Sequence, residues 1–215
     1  MTTTTRFEKL LPFAGIGAGL ALAGATVLQG DAPRLDGDGT AASYVSWYAD
    51  HEGAVFGSAV LTGLMAVLLL FYVTGLRARL RSGEGGEGTY SAAAYAGGIA
   101  TAVALGAWAC YGAALSEAAK AGHEDAALAL GHLNDVAWLP WVVGTSVLMI
   151  STGLGGLRTA TLPKWFAITS LVLGVLALLG PAGIAVYMVS PLYYLAAGVV
   201  LSCRSSAPAP VPSYA

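Results

Sequence analysis

Six apolar stretches, each about as long as a bilayer crossing, leave few folds open to this chain. They lie at 10–29, 53–76, 91–115, 134–154, 163–180 and 183–202. A crossing helix needs about 20 apolar residues, because the hydrocarbon core is about 30 Å thick and a helix rises about 1.5 Å per residue. Of the 215 residues, 56% are hydrophobic and only 10% are charged, against about a quarter charged in a soluble domain. A soluble fold has no place to hide that much apolar surface. The predicted fold is therefore all-α: one polytopic transmembrane helical bundle over 1–204, with a Pro/Ala/Ser-rich tail at 205–215 expected to be disordered. The first stretch runs on through Val27 and Leu28, longer than the apolar part of a signal peptide, and reads as a retained helix.

Charge gives the bundle a direction. Arg6 and Lys9 precede the first helix. Arg77, Arg79 and Arg81 follow the second, Arg158 and Lys164 lie between the fourth and fifth, and Arg204 ends the sixth. With six crossings all four groups share one side, which the positive-inside rule makes cytoplasmic, with both termini there. The opposite loops hold Asp31, Asp36, Asp38, Asp50, Glu52, Glu117, Glu124 and Asp125, against only Arg34 and Lys120. Arg77, Arg79, Arg81, Arg158 and Lys164 are thus expected to set topology and touch anionic lipid headgroups. The arginine cluster has no interleaved aromatics, so nothing points to nucleic acid. The place implied is a cell (plasma or inner) membrane.

The first outer loop is the longest. Asp31 to Thr40 is rich in Gly, Asp and Pro and reads as irregular. Ala41 to His51 carries Tyr44, Val45, Trp47 and Tyr48, and reads as an amphipathic segment at headgroup level. The second, 116–133, either extends the third helix or makes a short interfacial helix. Pro12 and Pro163 suit the first turn of a helix. Pro181 with Gly183 predicts a tight hairpin, and Pro191 a kink inside the last helix.

The third helix repeats small residues every four positions: Ala94, Gly98, Ala102, Gly106, Cys110 and Ala114. Such a ridge lets a neighbouring helix approach closely, mainly within the chain, with a dimer interface or a substrate path as the lesser readings. Cys110 and Cys203 fall at different depths, so no disulfide is expected.

Chemistry-bearing side chains gather on the acidic side. Asp50, His51 and Glu52 precede the second helix; His132, Asn134 and Asp135 stand at the predicted start of the fourth. At a shared depth, His51, Glu52, His132 and Asp135 would supply four ligands of kinds zinc accepts, and His123 or Glu124 could join. The plainer reading is capping: Asp50 or Glu52 for the second helix, Asn134 or Asp135 for the fourth. No hydrolase or haem motif occurs, which tilts the reading away from an enzyme. No ionisable residue sits near the middle of any predicted helix, which argues against an ion-coupled pump. Tyr72, Trp108, Tyr111, Tyr187, Tyr193 and Tyr194 read as belt or packing residues first and cavity lining second.

The run Arg158-Thr-Ala-Thr-Leu-Pro163-Lys-Trp165 before a Leu/Val/Gly helix resembles the same connection in the DUF4386-like bacterial membrane proteins, common in actinobacteria. Gly75-Leu-Arg77-Ala-Arg79-Leu after the second helix is similar to that family too, as is the long first outer loop. The resemblance spans most of the chain. It implies a six-helix integral membrane protein and assigns no catalytic residue.

Three functions stay open: an accessory, assembly or scaffold subunit with membrane-protein partners or a second copy of itself; a small transporter or channel for a lipid-like or weakly polar solute; and an enzyme or sensor built on the outer histidines. Membrane lipids are the one partner class the composition requires. A lipid, quinone or carotenoid could bind such a bundle by shape alone.

Overall fold

The computed structural model describes residues 10–35, 40–179 and 181–205. Arg6, Lys9, Asp36, Asp38 and the tail from 206 lie outside them. The described elements are all helical: α1 (Leu11–Gln29), α2 (Ala41–Asp50), α3 (Glu52–Glu84), α4 (Thr89–Lys120), α5 (Glu124–Val136), α6 (Trp138–Thr159), α7 (Lys164–Ala177) and α8 (Pro181–Ser205). Five are long and apolar enough to cross a membrane: α1, α3, α4, the nearly continuous α5–α6 pair, and α8. The fifth predicted crossing shrinks to α7, whose 14 residues reach about 21 Å, less than the hydrocarbon core.

The other boundaries shift for local reasons. The segment after Leu76 is made of strong helix formers, Arg, Ala and Leu. Nothing stops α3 until Gly85 takes a left-handed φ of 63°. The arginine cluster therefore rides on the last turns of a helix instead of in a loop. The fourth predicted helix changes most. Pro140 has no N–H for the Val136 carbonyl, and its ring crowds that oxygen, so the helix breaks at Ala137. Asn134 and Asp135 consequently close α5 and do not cap α6, whose N-cap is Ala137 with no side-chain bond. Nor does Asp50 cap α3: it ends α2, and His51 holds the cap position without a side-chain bond. Pro163 stands just before α7 at its cap, outside the first turn.

Six helices close a ring: α1 packs on α3, α3 on α4, α4 on α6, α6 on α7, α7 on α8 and α8 on α1. Met65, Leu69, Tyr72, Leu105, Leu148 and Tyr194 fill its centre, all fully buried. Leu20, Val60, Val103, Val143, Val172 and Leu192 point outward and are exposed. A helix apolar on both faces is what a bilayer demands.

Glycines set the closest contacts. A methyl at Gly97 of α4 would fall on the Leu148 backbone of α6, and one at Gly144 of α6 on the Thr101 backbone of α4. The four-residue ridge of α4 engages only in part. Ala94, Gly98 and Ala102 are buried, with Gly98 against Val73 of α3, whereas Gly106 meets open space and Cys110 is exposed. Each four-residue step turns about 40° around a helix of 3.6 residues per turn. Over three steps the ridge has swung well away from its partner. Both cysteines are free.

At the acidic end α2 and α5 pack across α4. Thr40 caps α2 by accepting from the Ser43 N–H at 3.2 Å. Tyr44 and Tyr48 then bury against Val55, Leu115, Ala119 and Ala127. In α8, Pro191 leaves the Tyr187 carbonyl without its helical donor; the Ser190 hydroxyl donates to it instead, at 2.7 Å. A freed backbone acceptor in an apolar setting is costly unless a neighbour restores the bond.

Candidate functional site

A large opening lies at the acidic end, beside the α5–α6 break. Asn134, Asp135, Trp138 and Trp141 there face the end of α1 and the first turns of α8. Between them lies a cavity of about 470 Å³, within the range of small-molecule sites, about 300–1,000 Å³. Its wall is aromatic. Tyr187 of α8 stands between Trp108 of α4 and Trp141 of α6, with ring centroids 5.4 and 5.2 Å away. Trp138 and Tyr48 extend the wall, and Thr26, Gln29, Arg34, Asn134 and Asp135 supply its polar groups. A smaller void of about 40 Å³ shares Gln29, Trp108, Asn134 and Tyr187 and reaches Ser58 and Thr62 of α3.

Two polar features stand out. Trp141 is 1% exposed, and its indole N–H has no hydrogen-bond partner. A buried donor left unmatched costs about 1–3 kcal/mol. Asp135 accepts the Leu35 backbone N–H at 3.4 Å, tying the first loop to α5. Burial, and then the Asp135 charge, push the Tyr48 phenol up.

The four predicted metal ligands do not converge. His51 is exposed, with its ring stacked on Trp47 at 4.3 Å and Nδ1 2.8 Å from the Trp47 carbonyl oxygen. Glu52 pairs with Lys120 across the surface. His132 is exposed on α5, and Asp135 faces the cavity. Among the described residues no group of three or more His, Cys, Asp or Glu is placed to hold a metal ion. His132 belongs to α5, not to the head of α6. His123 and Glu124 are also exposed.

Of the six aromatics named as possible lining, Trp108 and Tyr187 do line the cavity; Tyr72, Tyr193 and Tyr194 are packed beneath it, and Tyr111 does not line it. Gln29 carries no site signal in the sequence and Arg34 only that of a loop charge, whereas Trp138 and Trp141 are marked by following Asp135 closely. Below the cavity the bundle is closed and lined with hydroxyls. Ser170 and Tyr193 share a hydrogen bond at 3.1 Å, and Thr101 and Thr145 lie 3.4 Å apart. The Tyr72 and Tyr194 hydroxyls have no partner.

The basic residues brace the other end. Arg77 lies over the Tyr95 ring at 4.9 Å, and Arg158 over Tyr90 at 5.7 Å. Arg79 donates to the Thr161 carbonyl at 3.4 Å. Lys164 and Trp165 are exposed beside them. No protein-family model, no curated protein and no solved structure matches the chain.

Proposed function

We propose that this chain is a ligand-binding subunit of a bacterial cell membrane, whose acidic end faces outward and admits a small amphipathic molecule to the aromatic cavity. The observation that carries this is the cavity itself: wide and aromatic at the acidic end, with Trp138, Trp141 and Tyr187 in its wall and a packed floor beneath. An open channel needs a continuous path, and the rings of Tyr72, Tyr193 and Tyr194 stand in the way. Placing the acidic end outside follows from charge. Arg77, Arg79, Arg81, Arg158 and Lys164 sit at the opposite end, which the positive-inside rule makes cytoplasmic. In this arrangement α7 is a sixth, short crossing, accommodated by local thinning of the bilayer, both termini are cytoplasmic, and the order of helices is that of the DUF4386-like proteins.

A specific observation supports the subunit part of this reading. Gly106 meets open space and Cys110 is exposed, so the outer half of the α4 ridge offers a close-packing surface to a helix of another chain. The test is gentle purification from native membrane, with mass spectrometry of every retained protein and small molecule. The proposal expects a small amphipath at about one per chain, released when Trp141 becomes alanine. Repeated recovery of an empty chain that quenches with no amphipath would refute it.

A further inference from the structure

Resting on the cavity reading above, we infer that the ligand carries an organic ammonium cation, held against the aromatic wall with Asp135 as counter-charge. Three observations meet here. The first is the wall itself. Trp108, Tyr187 and Trp141 are contiguous, and Trp138 and Tyr48 lie alongside. Ring faces carry partial negative charge, indole most of all, and attract a cation within about 6 Å of the centroid. Val142, Ile184 and Met188 complete the lining and suit the apolar body of such a ligand.

The second observation is the carboxylate. Asp135 is half-buried in the same lining and already holds the Leu35 amide, so its position is fixed before any ligand arrives. The third is the surrounding field. Among the described residues the acidic-end segments carry Asp31, Asp50, Glu52, Glu117, Glu124, Asp125 and Asp135, against Arg34 and Lys120. Lys120 is engaged with Glu52. Such a field concentrates cations at the mouth. Arg34 is the one opposing charge in the lining, and it is exposed on the loop, where solvent weakens it.

The test uses the full chain in dodecyl maltoside, an uncharged detergent with no ammonium group, and follows tryptophan emission. Three probes share one benzyl body: benzyltrimethylammonium, its neutral carbon isostere neopentylbenzene, and the anion phenylmethanesulfonate. Empty micelles provide the partition baseline. The cation should bind about tenfold or more tighter than the isostere, equivalent to about 1.4 kcal/mol, and the anion weakest. Asp135→Asn, which keeps an acceptor for Leu35, should weaken the cation and leave the isostere unchanged. Arg34→Ala lies on an exposed loop outside the helices; it should tighten the cation alone, a change of sign no loss of folding can mimic. Equal affinity for cation and isostere, or tightest binding of the anion, would overturn the ammonium inference while the cavity reading stands. Binding of none of the three would remove both.

Discussion

Replacing Gly97 with alanine measures what the small residues of α4 do. A methyl there would meet the Leu148 backbone nitrogen and α-carbon and the Gly144 carbonyl oxygen, the last at 2.9 Å. All three are backbone atoms, so no rotamer change relieves the crowding and α4 must move off α6. Overpacking of this kind costs about 1–3 kcal/mol. Against it stands the helix-propensity gain of Gly→Ala, about 0.5–1 kcal/mol. Gly106→Ala is the matched control: same helix, same gain, and no atom within 4 Å of the added methyl. Subtracting one variant from the other cancels propensity and leaves the α4–α6 contact alone. For a chain of this length 1 kcal/mol moves the melting temperature by about 2–4 °C. Gly97→Ala should thus melt roughly 2–12 °C below Gly106→Ala when unfolding in mild detergent is followed by intrinsic fluorescence. Equal melting temperatures, or a lower value for Gly106→Ala, would show that glycine does not set this interface.

Three further outcomes are expected. Tyr193→Phe removes the 3.1 Å bond to Ser170 and should lower stability by about 1–2 kcal/mol, whereas Tyr72→Phe deletes a buried hydroxyl that has no partner and should be neutral or stabilising in the same melt. Docking of α2 should be pH-dependent, because the folded Tyr48 phenol titrates above its ordinary value of 10.0: the stabilisation is complete below that ordinary value and fades as pH climbs toward the raised one. Trp47 fluorescence would report it, and a Tyr44→Phe, Tyr48→Phe double variant should show no such transition. Incubation with EDTA should leave the melting temperature unchanged, since His51, Glu52, His132 and Asp135 form no shared site; a clear fall would restore a metal to the acidic end.

Apolar length and charge make the membrane-length helices legible, because both are properties of consecutive residues. Arg77 to Arg81 mark one end of the bundle whether they ride on a helix or lie in a loop. What escapes is whatever depends on a helix ending early or on distant segments meeting. Pro140 sits inside an apolar stretch that looks continuous in composition, so the α5–α6 break, and with it the true setting of His132 and Asp135, was hidden behind hydropathy. The ridge through Gly106 and Cys110 looked uniform because a spacing of four ignores the 40° drift of each step. The cavity was least visible. Trp108 and Tyr187 touch only because α4 and α8 lie on opposite arcs of a closed ring, and a tryptophan that lines a cavity reads in the sequence like one in a headgroup belt.

The order of polar groups along the bundle decides between binding and passage. Opening the floor would require Tyr72, Tyr193 and Tyr194 to leave buried positions together. Tyr193 stacks on Phe166 at 5.4 Å and bonds Ser170, while Tyr72 meets Tyr194 edge-on at 6.2 Å. Each ring that moves forfeits dozens of close contacts, and in a bilayer such packing is the main force holding helices together. Opening the mouth asks for much less. Between residues 30–35 and α5, Leu35 donates to Asp135 at 3.4 Å, a contribution of about 1.5–3 kcal/mol for an acceptor that is charged. Access from the acidic end is therefore far cheaper than exit through the centre.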